Sequence, residues 1–99
     1  MSDPLTPMAI PDYQSEENWE AFIHLFPFEE RIASPSYAEA AENLNRFMES
    51  ARKTGLNAHR VKVNAADWKA WIDANNYPQS RETVGIYASY CLGKEILES

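Results

Sequence analysis

Trp19, Phe22, Ile23 and Phe26 fall at i, i+3, i+4 and i+7, the spacing of one helical face. Ser15 ahead of Glu16 and Glu17 supplies an N-cap and an acidic first turn, and Pro27 ends this first helix. A longer stripe follows: Tyr37, Ala40, Ala41, Leu44, Phe47, Met48 and Ala51 stay on one side for about four turns. Ser34-Pro35, or Ser36 with Glu39, starts this second helix, and Arg52, Lys53 and then Gly55 end it. Phe28 to Ser34 reads as a connector, with a short extended piece at Arg31-Ile32-Ala33.

The period then changes. His59 to Val63 alternates with period two and ends on β-branched residues, which predicts a short strand. Its backbone needs a partner, and three segments qualify: Arg31 to Ala33, the N-terminal arm, or the same strand of another copy. Residues 1–14 carry Pro4, Pro7 and Pro11 and cannot form a regular helix. Apolar residues sit between those prolines, so the stretch from Ile10 to Tyr13 is expected to lie against the domain or a partner.

Asn64 and Asp67 cap a third helix with Ala65, Trp68, Trp71 and Ile72 on its face, broken at Asn75-Asn76-Tyr77-Pro78. Ser80 opens a fourth that runs toward the C-terminus through Gly85 and Gly93. This last helix is apolar on two sides. Val84, Tyr87, Ala88, Cys91 and Leu92 form one arc, and Ile86, Tyr90, Gly93 and Leu97 the opposite one. The fold class expected is therefore mainly α. It comprises an extended Pro-rich arm (1–14) and one compact four-helix domain (15–99) with a short strand pair, which leaves α+β open.

Composition agrees with a packed domain. The chain has 99 residues, enough for one core, and 44% of them are hydrophobic. No apolar run could span a bilayer, and Met1-Ser2-Asp3-Pro4 lacks the features of a signal peptide. With Cys91 the single cysteine, a reducing cytoplasm is the expected location and no membrane the expected setting. Charge changes the picture more. Residues 1–50 hold ten acids against two bases, giving −8, whereas residues 51–99 carry +2. Between positions 52 and 69, Arg52, Lys53, Arg60, Lys62 and Lys69 face only Asp67. Such asymmetry bears on partners and steering rather than on fold.

Catalytic chemistry finds little to stand on. Cys91 lies on an apolar arc, and neither His24 nor His59 belongs to a motif that would activate it. Two histidines and one cysteine far apart give no close pair of zinc ligands, and three glycines build no phosphate cradle. The expectation is no enzyme, no cofactor and no metal. Trp68 and Trp71, near one helical turn apart, read first as core anchors and second as a stacking platform.

Ser80-Arg81-Glu82-Thr83-Val84 resembles the start of the recognition helix in the helix-turn-helix of cyclic-AMP-receptor-type bacterial regulators. Ala74 and Tyr77 fall on the small and apolar positions of that motif, while Pro78, Gln79 and Asp73 depart from it. The resemblance implies a small DNA-binding transcription regulator, with Ser80 capping the helix and Arg81 and Glu82 reading bases. The third and fourth helices together carry −2, which ranks that reading second.

The first expectation is a non-enzymatic protein-binding or inhibitory module. Its charge suits an acidic protein of the mobile-element type that occupies a basic, nucleic-acid-binding surface of its partner. Glu39, Glu42 and Glu49, off the core stripe of the second helix, would meet that basic partner. Ile86, Tyr90 and Leu97 would make an apolar contact, with a partner protein or in a homodimer.

Overall fold

The computed structural model describes residues 7–98. In chain order the elements are β1 (Met8–Asp12), α1 (Glu16–Leu25), α2 (Phe28–Ala33), α3 (Tyr37–Lys53), β2 (Ala58–Lys62), α4 (Ala65–Asn75) and α5 (Arg81–Glu98). The chain is mostly helical, a compact single domain with a parallel two-stranded sheet. The first six residues of the expected arm lie outside the described residues.

Of the three partners open to the strand, the arm is the one that pairs. Met8 lies opposite Ala58 and Asp12 opposite Lys62, so β1-α1-α2-α3-β2 is a parallel crossover. The arm also packs on α5. Tyr13 sits edge-on to Trp19 and Phe22, with ring centroids 4.5 and 5.0 Å away, as the apolar residues between the prolines led one to expect.

Among the described residues there are five helices rather than the four expected. The connector expected to be extended at Arg31-Ile32-Ala33 is the helix α2. Its reason is local. Pro27 ends α1 yet offers its carbonyl to the Arg31 N–H at 2.9 Å, and Glu29 and Glu30 suit the positive end of the new helix. The Arg31 guanidinium reaches back to the carbonyls of His24 and Phe26, caulking the joint between α1 and α2.

Phe22, Phe26, Val61, Val63, Trp68, Ile72, Val84, Ala88 and Leu92 belong to the core, drawn from α1 and the residue that follows it, β2 and the residue that follows it, α4 and α5. Of the two α5 arcs, the one through Val84, Ala88 and Leu92 is buried. The caps expected at Ser15, Ser36 and Asn64 are present, each side-chain oxygen accepting a first-turn N–H. Asn76 closes α4 in the left-handed conformation that asparagine tolerates, and Gly55 does so after α3.

Candidate interaction surface

The break after α4 folds Tyr77 back onto the helix, its N–H donating to the Ile72 carbonyl at 2.9 Å. That turn lays Tyr77 on Trp71, with planes 21° apart and centroids 5.0 Å apart. Tyr87 and Tyr90 of α5 approach the same indole, each at 5.4 Å, and stack on one another at 6.4 Å. Four rings from α4, its turn and α5 thus form one continuous aromatic surface. Tyr77 and Tyr90 are 41% and 49% exposed, while Trp71 and Tyr87 are half-buried beneath them.

The two tryptophans read together in the sequence therefore separate. Trp68 is a core residue with no exposure, whereas Trp71 is the centre of the surface cluster. The second apolar arc of α5 also divides. Ile86, Tyr90 and Leu97 remain exposed, and Tyr90 joins the rings. The arm reaches the edge of that arc at Gly93, where Pro7 and Ala9 line a small hollow with Ser89, Leu92, Gly93 and Ile96. In the sequence Trp71, Tyr87 and Tyr90 stood apart, on the face of α4 and on the two arcs of α5, and Tyr77 is delivered to them only by the turn geometry.

Cys91 is half-buried against the core, beside Tyr87. Burial first, and the neighbouring Cys91 thiol second, push the Tyr87 phenol well above its ordinary range. Among the described residues no group of three or more His, Cys, Asp or Glu side chains could hold a metal ion.

The acidic residues are placed on the outside. Glu39, Glu42 and Glu49 on α3 are exposed, as are Glu16, Glu17 and Glu20 on α1, and the two helices pack as neighbours. Two of these acids carry local partners: Arg46 pairs with Glu42 and Lys53 with Glu49, one turn apart on the same helix. Exposed pairs of this kind contribute at most about 0.5 kcal/mol each.

The start of α5 is built into the domain. The Arg81 N–H donates to the Glu30 carboxylate at 2.8 Å, and its guanidinium lies 6.0 Å from the centroid of the Trp19 ring. The Thr83 hydroxyl is 2.8 Å from the Ser80 carbonyl and 3.0 Å from that of Pro78. Glu82 is exposed. Compared with protein-family models, with curated proteins and with solved structures, the chain matches none.

Proposed function

We propose that the protein is a non-enzymatic binding module that engages another protein through the aromatic surface of Trp71, Tyr77, Tyr87 and Tyr90. The observation carrying this reading is the mutual stacking of four rings with two of them open to solvent. Rings held against each other have already lost rotamer freedom, so burying them under a partner costs little further entropy. Tryptophan and tyrosine in this state are the residue types that dominate binding energy at protein interfaces. Ile86 and Leu97 extend the apolar contact.

Charge supplies the second part. The exposed acids of α1 and α3 steer a basic partner, which suits occupation of a nucleic-acid-binding surface in the manner of small mobile-element inhibitors. A DNA-reading role for α5 is less well supported. A carboxylate, Glu30, sits on the helix N-terminus where a DNA phosphate would be received.

Capture of partners from the native host by the wild type and by Tyr90→Glu, with cross-linking, tests the aromatic surface. The variant is expected to lose the partner while keeping its melting temperature. Equal capture by both proteins refutes the reading. With a partner in hand, reversing Glu39, Glu42 and Glu49 to Lys is expected to slow association and flatten its salt dependence. Salt-sensitive binding of random duplex DNA, lost in Arg81→Ala, supports the regulator instead.

A further inference from the structure

The two edges of the small sheet are not alike. The Met8 N–H donates to the Asn57 carbonyl at 2.8 Å and the Val63 N–H to the Asp12 carbonyl at 3.1 Å. In a parallel ladder bonding residues alternate, so these two bonds fix the parity of both strands. Met8, Ile10 and Asp12 face β2, while Ala9 and Pro11 face outward from β1. Ala58, Arg60 and Lys62 face outward from β2.

The outer edge of β1 is closed in two ways. Pro11 has no N–H to offer there, and α5 packs on the strand. On β2 the proline is absent, although α5 and α3 also pack on the strand. Among the described residues no third strand pairs with it, and its outward residues all have an N–H and a carbonyl. A groove of about 430 Å³ lies between α3 and the sheet, lined by Tyr37, Ala40 and Leu44 of α3, by Arg60 and Lys62 of β2 and by Pro11 of β1. Arg60 bonds the Asn45 side chain across this groove. Among the described residues neither Arg60 nor Lys62 is ion-paired, although Asp12 also lines the groove.

We infer that the outer edge of β2 receives an extended segment of a partner protein as an added strand, with acidic residues opposite Arg60 and Lys62. Backbone bonds to Ala58, Arg60 and Lys62 give such a segment its register, and the two cations give it its sequence preference. Charge selects this occupant over a second copy. Two β2 edges paired antiparallel about Arg60 set arginine opposite arginine, a destabilising arrangement. In a chain of net charge −6, this basic edge is also the place where an acidic segment is least repelled. The site is separate from the aromatic surface and does not depend on it.

Isotope-labelled full-length protein, titrated with a short blocked peptide alternating valine and glutamate, tests the inference. The same peptide with lysine for glutamate is the control. The glutamate peptide, at up to about 1 mM, is expected to shift the amide signals of Ala58, Arg60 and Lys62 and slow their hydrogen exchange by about tenfold. The lysine peptide is expected to do neither. The exposed double substitution Arg60→Glu with Lys62→Glu reverses the preference, and Tyr90→Glu leaves the titration unchanged. Equal effects of both peptides, or no change at β2 at the highest concentration, overturn the proposal and leave the cations as guards against edge pairing. Shifts at β2 that grow with protein concentration alone make a second copy the occupant and overturn it too.

Discussion

The side-chain nitrogen of Asn18 lies 2.8 Å from the carbonyl oxygen of Val63, a residue 45 positions further along the chain. The same nitrogen donates to the Tyr13 carbonyl at 2.6 Å, and the side-chain oxygen accepts the Ala65 N–H at 3.1 Å. One amide in the first turn of α1 therefore closes the chain just past β1, just past β2 and at the start of α4. Gln14 adds a further donor to the Val63 carbonyl at 3.1 Å.

Asn18→Ala removes three bonds to half-buried backbone groups, and its expected cost is about 3 kcal/mol by urea unfolding. Asn18→Asp is expected to be the worse substitution at neutral pH, since a carboxylate cannot donate to two carbonyls. Stability within about 1 kcal/mol of wild type in both variants would show that the clamp is incidental.

The two buried indoles make opposite predictions. The Trp19 N–H donates to the Pro35 carbonyl at 3.0 Å, whereas the Trp68 N–H is buried with no partner among the described residues. Trp68→Phe loses volume but also removes an unpaired donor, and Trp19→Phe loses volume and strands a carbonyl. The second is expected to cost about 1 kcal/mol more than the first. Calorimetry of the pair checks it, and the reverse order would point to an unseen partner for Trp68.

Cys91→Ala is expected to cost about 1 kcal/mol and leave partner capture intact, because the thiol fills space between Tyr87 and the core. A thiol reagent should label it more slowly in the folded than in the urea-unfolded protein. Lost capture with unchanged stability would assign the thiol a role in binding.

Burial pushes the Tyr13 phenol up from 10.0 to about 12, with the nearby Arg81 charge opposing the shift. The fold thus favours the neutral phenol. The resulting stability is complete below pH 10.0 and is lost as pH rises from there toward about 12. Tyr13→Phe is expected to weaken this alkaline loss, measured as the slope of the unfolding free energy against pH. An identical slope in wild type and variant would contradict the burial argument.

Helices with long stripes or strong caps were legible in the sequence. The face Tyr37 to Ala51 and the Ser36–Glu39 cap of α3 could be read directly, because both are local. The strand was displaced by a single residue, from 59–63 to 58–62. What could not be read was long-range or exposed. The helix α2 is six residues long with Phe28 and Ile32 both 69% exposed, so it has no buried face to betray it. The choice of β1 as strand partner and the clamp by Asn18 depend on contacts between distant positions. The surface cluster was half legible: Trp71 and Tyr90 were singled out for different reasons, and only the turn at Asn76 brings Tyr77 to them.

The pairing of Met8 with Ala58 also sets an order of events during synthesis. The first strand made must wait for about fifty more residues, on the order of seconds at ordinary elongation rates. Until then, α1, α2 and α3 can form only as local structure, with most of their apolar faces uncovered. Residues 8–12 meanwhile carry an unpaired backbone and cannot reach their own partner. A chaperone that shields the nascent N-terminal segment should therefore raise the yield of folded protein, and moving β1 to follow α5 by circular permutation should remove the wait.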